Sequence, residues 1–259
     1  YRFLRPLFHP VFQSLTRCCM QTVEDAERLI AAGARKERVS ATGNFKMDGV
    51  SEGSGQGQTI LEEAGLVDRP LLIGASTHPG EEELLLRVFR RLRGEVPTLL
   101  LLLAPRHPQR FLDVEQLLIR EGWRYQKRSQ SPTRTKTEVE VFLLDTLGEL
   151  SSFYHSAALT FVGGSLVKGP GGHSVVEPAL SRTPVCFGPY TRNFSMVVEQ
   201  LINANGGFEV RQEEDFYRQA LPFFTNPHHA QEIGQRAYEV VKRGQGAVHR
   251  TMTVVQETL

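Results

Sequence analysis

The chain is poor in the features that settle a protein's class at once. Cysteine is scarce, with three in 259 residues and two of them adjacent, Cys18 and Cys19. That spacing gives neither a metal-ligand pattern nor a disulfide framework, and a reducing compartment is the simpler setting. Excess charge of one sign is lacking. A formal net charge of +1 argues against a dedicated nucleic-acid-binding protein, which carries a basic surplus. Long apolar runs are missing: the longest, residues 99–104 behind Pro97, is far below the roughly 20 residues that span a bilayer. No secretory signal pattern is visible. The chain starts on Tyr1 rather than Met, which reads as a fragment or a processed chain. Familiar phosphate motifs are also absent. No GxGxxG follows the first strand of the regular part, and GxxxxGK[ST] does not occur. No Asp, His and Cys cluster shows metal spacing, so neither a metal nor a resident cofactor is expected.

What remains is ordinary soluble composition, 40% hydrophobic and 23% charged, and a length that suits one large domain or one and a half. Residues 1–17 mix aromatics with arginines, and Pro6 and Pro10 argue against one long helix. This segment reads as a cap folded over a core, with an interfacial membrane contact as the alternative. Residues 18–21 read as a short strand. Thr22 then N-caps a helix over VEDAERLIAA, with Gly33 beyond its end, and RVSATGN is the next strand. SEGSGQGQ, residues 51–58, reads as a flexible linker between a domain over 1–50 and one over 59–259.

A rhythm follows the linker. PLLIGAS, TLLLLLAP, EVEVFLLD, LTFVGG, PVCFG and FEV read as strands, the first five each followed by a helix, with two or three helices closing the chain. Strands apolar throughout and alternating with amphipathic helices mean a parallel sheet covered on both faces, a doubly wound, Rossmann-like α/β domain. Residues 127–137, KRSQSPTRTKT, interrupt the pattern as a basic surface loop.

In such sheets ligands bind beyond the carboxyl ends of the strands, and the unusual segments of this chain fall there. Ser76, Thr77 and His78 precede a helix opening near Pro79, and hydroxyls, imidazole and free helix amides together suit an anion. Arg106 and His107 directly follow a fully apolar strand, and the Arg fork matches phosphate or carboxylate. Thr146 and Glu149 form a capping-box pattern in DTLGEL, a structural signal by itself. The costliest segment is FVGGSLVKGPGGHSVVEPAL, residues 161–180. Gly163, Gly164 and Ser165 would let a ligand approach the strand end, and Gly171 and Gly172 the next helix start. Lys168 and His173 add positive charge and a switchable donor. Ser174 and Glu177 repeat the capping box, although a carboxylate there could instead accept from a ribose diol. Together these loops suit a phosphate-bearing nucleotide met by Arg, Lys and helix dipoles.

The motifs MQTVEDAERL, GARKERVSATGNFKMD, STHPGEEE, APRHPQRF, DTLGEL and FVGGSLVKGPGGHSVVEPA with PVCFGPYTRNF resemble the 3-deoxy-D-manno-octulosonic acid (Kdo) transferases. The resemblance runs in order from about residue 18 into the C-terminal helices. It implies the GT-B fold, two Rossmann-like domains with the donor held mainly by the second. It also implies an inverting, metal-independent transfer of Kdo from CMP-Kdo to lipid A precursor in lipopolysaccharide biosynthesis, on the cytoplasmic face of the inner membrane. By resemblance, Pro105 and Arg106 meet the donor, where the loop reading adds His107, and Leu147, Gly148 and Glu149 line the same site. Gly163, Gly164, Ser165, Lys168, Gly172 and His173 contribute, Ser174, Val175, Val176 and Glu177 hold the nucleotide, and Lys46 stabilises the transition state. The family usually carries Asn at the position of Ser174 and Met at that of Leu147. Residues 1–50 correspond only to the end of its N-terminal acceptor domain, which carries the general base and the peripheral membrane contacts. The chain is therefore expected to bind donor and to be inactive alone. The alternatives are another GT-B enzyme using a UDP-sugar, as transferase or epimerase, and a non-catalytic sugar-nucleotide-binding module.

Overall fold

The structure, a computed structural model, describes residues 5–49, 55–130 and 138–258. The chain divides into two compact units, residues 1–50 with 241–259, and residues 51–240.

The first unit begins with helix α1 (Arg5–Ser14), which corrects the reading of Pro6 and Pro10 as barriers. Pro6 falls in the first turn, where no amide partner is needed, so only Pro10 removes a helical hydrogen bond. Strand β1 (Cys18–Met20), helix α2 (Val23–Ala32) and strand β2 (Val39–Ala41) follow, the strands pairing in parallel. The Thr22 hydroxyl accepts the Asp25 amide at 3.0 Å, and Gly33 ends α2 in the left-handed region, both as the sequence pattern predicts. Gln13 of α1 donates to the Gly33 carbonyl at 2.7 Å, tying α1 over the end of α2.

The second unit contains helices α3 (Gln56–Glu63), α4 (Glu81–Glu95), α5 (Phe111–Arg120), α6 (Leu150–Phe153), α7 (Val176–Leu180), α8 (Ser195–Asn203) and α9 (Glu213–Thr225). Its strands are β3 (Leu71–Thr77), β4 (Leu100–Pro105), β5 (Tyr125–Lys127), β6 (Val141–Leu143), β7 (Leu159–Val162), β8 (Val185–Phe187) and β9 (Gly207–Glu209). Helix α10 (Pro227–Gly244) carries the division between the units, and α11 (Ala247–Gln256) belongs to the first. There Asp48 accepts the Gly246 amide at 2.6 Å, and Arg250 donates to the Thr42 carbonyl at 2.9 Å. The last helix thus returns to the N-terminal segment, whereas the sequence pattern keeps it with residues 59–240.

The seven strands run parallel in the order β5-β6-β4-β3-β7-β8-β9. From β3 at the centre the chain builds one half through β4, then β5 at the edge and β6 between them, and returns to build the other half through β7, β8 and β9. The order reverses between β3 and β7, and such a switch point opens a crevice at the strand ends. Both faces are covered. Leu72, Leu101, Leu103 and Phe161 face α4, α5 and α9, while Leu71, Ile73, Leu100, Leu102 and Phe142 face α3 and α6. Alternate residues serve opposite faces, so a strand apolar on both faces gives no visible period in the sequence.

Two local readings change. Helix α3 starts inside the expected linker 51–58, of which 51–54 lie outside the described residues. Gly57 there is buried, and a Cβ on it would stand 2.5 Å from the Ser152 carbonyl oxygen, so it permits close packing rather than flexibility. Strand β5 occupies residues to which the sequence pattern assigns no element, between the helix ending at Gly122 and the basic loop, and takes Lys127 from that loop. It is a three-residue polar edge strand, too short to show a period. The rest of that loop, residues 131–137, lies outside the described residues.

Candidate functional site

Two loops meet at the switch point. The first leaves β3. Ser76 adopts φ 53° and interrupts the pairing with β4, whose Pro105 lies opposite Thr77. His78 then leads into α4. The second leaves β7 at Gly163 and runs to α7. Between them the structure places a carboxylate that, in the sequence, looks like no more than helix-dipole decoration.

Glu81 is completely buried. One carboxylate oxygen accepts the amides of His78 (2.9 Å) and Gly164 (2.8 Å), the other those of Ser165 (3.0 Å) and Leu166 (2.9 Å). Four main-chain donors stand in for the water that the charge has lost. The amides after Gly163 are therefore occupied from inside the fold, and they do not form an open cradle for a ligand phosphate. Gly163 has its own internal reason. A Cβ there would lie 2.5 Å from the Ser76 carbonyl oxygen and 2.8 Å from the Glu81 carboxylate. Ser165 is buried as well, donating to the Val162 carbonyl at 2.5 Å and accepting the Gly188 amide at 2.8 Å. Gly163, Gly164 and Ser165 thus shape the loop, while the residues beyond them face outward.

Those residues are held from a third loop. Asn193 donates to the carbonyls of Pro170 (2.8 Å) and Gly172 (3.2 Å). Gly171 and Gly172 both take φ near +80°, which a side chain would resist. This turn delivers His173 against His78, their Nε2 atoms 2.8 Å apart and ring planes 12° apart. His107 packs edge-on against His78 with ring centroids 5.5 Å apart. Arg106 beside it is exposed, as is Lys168. Burial, then the cationic surroundings, push both imidazoles of the pair toward neutrality. His173 falls to about 4 through burial, His78, Arg106 and His107. His78 is lowered by burial first, with His107, Arg110 and Arg106 adding to it against the opposing pull of Glu81. Under the loop, buried Glu82 holds Arg110 at 2.6 Å, fixing the turn that carries His107.

The remaining site residues divide by accessibility. Leu147 is 68% exposed beyond β6, and Gly148 is exposed with φ 82°. The capping box suggested by the spacing of Thr146 and Glu149 does not form: α6 starts at Leu150 with Glu149 itself at the cap position and no side-chain cap, and the Glu149 carboxylate instead accepts from the Thr146 hydroxyl and from the Arg128 guanidinium at 2.7 Å. Burial opposes its charge, and the bonds from Arg128 and Thr146 outweigh that and hold it below the usual carboxylate range. Val175 and Val176 are buried, which leaves only their main chain to face a ligand. Glu177 is half-buried. Burial raises its proton affinity, opposed by the Ser174 hydroxyl. Helix α7 starts at Val176 with Val175 as its N-terminal cap residue. Ser174 therefore lies outside the helix, and no side chain caps its first turn. Lys46 sits in the first unit, exposed in a short turn, its amide donating to Asn44 at 3.0 Å.

A cavity of about 420 Å³ lies at the opposite ends of the strands, among Pro70, Ala158 and Pro184 with Arg69 and Arg182. Strand beginnings in such sheets carry packing rather than ligands, and Arg69 is already committed to the carbonyls of Thr98, Leu99 and Val139. Among the described residues no group of three or more His, Cys, Asp or Glu is arranged to hold a metal ion, and no helix is long and apolar enough to cross a membrane. Glu81 and Asn193 lie in the STHPGEEE and PVCFGPYTRNF segments and Arg128 in the basic loop, but nothing in the sequence singles out their roles, which depend on partners far along the chain.

Switch-point geometry, two covered faces and a cationic, imidazole-rich set of strand-end loops define an α/β protein of the GT-B glycosyltransferase class. Comparison with known proteins narrows this. Residues 1–49 match the family model described as 3-Deoxy-D-manno-octulosonic-acid transferase. The chain is 36% identical over 235 residues to the 3-deoxy-D-manno-octulosonic acid transferase of Haemophilus influenzae, covering 90% of this chain and 55% of that protein. The C-terminal CMP-Kdo binding domain of WaaA from Acinetobacter baumannii superposes with a TM-score of 0.66 at 27% identity, over 72% of this chain and 96% of that one. Anabaena HepE in complex with UDP-glucose shares the fold alone, with a TM-score of 0.57 at 12% identity over 99% of this chain and 67% of that one. The chain belongs to the 3-deoxy-D-manno-octulosonic acid transferase family. It spans about half the length of the curated relatives it matches.

Proposed function

We propose that this chain is the donor-binding part of a transferase that moves Kdo from CMP-Kdo to a lipid A precursor in lipopolysaccharide biosynthesis. The observation that carries the reading is the meeting of Arg106, His107, His78 and His173 at the switch point of the sheet, where α/β folds bind phosphate-bearing ligands. The phosphate of the donor lies against these groups. The cytidine side extends past Leu147 and Gly148, and Glu177 accepts from the ribose diol. The WaaA domain, named for CMP-Kdo binding, supports CMP as the nucleotide.

The reaction inverts the anomeric carbon in this reading. The acceptor hydroxyl attacks as the glycosidic C–O bond breaks, and the electron pair stays on the departing phosphate. Arg106 and the imidazoles offset the charge that develops there, the electrostatic share of catalysis. No metal takes part. Deprotonation of the acceptor falls to a base elsewhere in the longer protein, which works as a peripheral protein on the cytoplasmic face of the inner membrane.

The test is the melting temperature of this chain with CMP, with UDP and with neither, in EDTA. Ligand at 100 times its dissociation constant adds about 2.7 kcal/mol, or roughly 5–11 °C for a unit of this size. A shift with CMP alone supports the reading. A shift with UDP alone replaces it with a UDP-sugar enzyme of the same fold, and no shift with either removes it.

A further inference from the structure

The contact between His78 and His173 has a definite proton count. Two Nε2 atoms 2.8 Å apart hold one hydrogen between them, one ring donating and the other accepting. In the uncharged pair the donor ring carries its proton on Nε2 and its Nδ1 is bare. One more proton can settle on that Nδ1 and leave the contact intact, with an imidazolium donating to an imidazole. A second would set N–H against N–H at 2.8 Å and break the pair. The arrangement therefore takes up one proton and no more.

In the free protein that proton is disfavoured from several sides. The pair is partly withdrawn from water, and Arg106 and His107 after β4 press on both rings, with Arg110 adding to His78. The negative group nearby is Glu81 at the start of α4, and its two oxygens are already committed to four amides. The pair accordingly stands uncharged at neutral pH. An anion laid against Arg106 and His107 reverses the field at the rings.

We propose that His78 and His173 act as one proton-accepting clamp, so that binding of a nucleotide phosphate at the switch point loads a single proton onto the pair and the site meets its ligand with a shared imidazolium absent from the free protein. This inference rests on the donor-site reading above. It makes both histidines ligand-binding residues for the phosphate and adds a linkage between binding and proton uptake.

The experiment is calorimetric titration of the 259-residue chain with CMP at pH 6, in buffers of different ionisation enthalpy, with His173→Gln and His78→Gln in parallel. Glutamine keeps a donor and an acceptor but does not titrate. The second phosphate ionisation of CMP is common to all three proteins and cancels in the difference. The wild type is expected to take up roughly one proton more per CMP than either variant, and its affinity to fall up to about tenfold per pH unit above the pH at which the bound pair titrates. Should the variants fold poorly, imidazole nitrogen spectra of the wild type with and without CMP report the same change directly. CMP binding with equal proton uptake in wild type and variants, or with unchanged imidazole spectra, overturns the clamp and leaves the donor site standing. Failure of CMP to bind overturns both.

Discussion

Removing the Glu81 carboxylate tests the internal scaffold of the site most directly. In Glu81→Ala four main-chain amides, those of His78, Gly164, Ser165 and Leu166, lose their acceptor at once. A hydrogen bond to a charged group contributes about 1.5–3 kcal/mol, and a buried donor left bare costs about 1–3 kcal/mol. The simple sum overshoots, because water enters the vacated space and satisfies part of the set. About 3–5 kcal/mol is the expected loss, in the range found when one partner of a buried charged pair is removed. At roughly 2–4 °C per kcal/mol the melting temperature falls by about 6–20 °C. Glu81→Gln keeps one acceptor oxygen but turns an NH2 toward the other two amides, so it recovers no more than about half of the loss. Hydrogen exchange gives the local readout: Gly164, Ser165 and Leu166 exchange at least about tenfold faster in the alanine variant. A loss of stability under about 1 kcal/mol with unchanged exchange would falsify the claim that this carboxylate holds the loop.

Other expectations follow from the same contacts. The depressed imidazoles bind fewer protons folded than unfolded, so stability is full above the ordinary histidine range and falls as pH drops from 6.5 toward about 4. His173→Gln should flatten that acid slope by roughly 1–2 kcal/mol once solvent screening is allowed for, and parallel denaturant melts at pH 4.5 and 7 would show it. Arg106→Gln should weaken CMP binding about 10–50-fold while leaving the melting temperature of the free chain within about 1 °C, since Arg106 is exposed. Equal loss of both would mean that Arg106 serves the fold. Gly163→Ala sets a methyl 2.5 Å from a carbonyl oxygen and should cost about 2–4 kcal/mol. A neutral result in a urea melt would contradict the close approach. Arg110→Ala leaves Glu82 buried without its cation and should cost about 3–5 kcal/mol, with the turn bearing His107 loosened.

Much of the fold is legible in the order of the amino acids. The alternation of apolar strands with amphipathic helices depends on local composition and turn chemistry, so the parallel sheet and its covered faces can be read from the chain. Thr22 and Gly33 punctuate α2 through bonds three to five residues long, which any linear reading can see. The position of Arg106 and His107 after a buried strand is equally visible, because nothing in folding asks for such residues there. Elements that depart from the local rules escape such a reading: β5 is a polar three-residue edge, α1 runs through two prolines, and Gly57 packs where a linker is expected.

By itself the sequence determined the alternation of elements and the family, because each depends on residues near one another along the chain. Tertiary structure alone decided what the strand-end loops do. Glu81 meets Gly164 across 83 positions and His78 meets His173 across 95. Until the parallel order is closed, three glutamates are only a helix start and two distant histidines only candidates. The sheet reverses its order between β3 and β7, and that reversal brings one carboxylate under the glycine loop and two imidazoles into a contact with room for one shared proton.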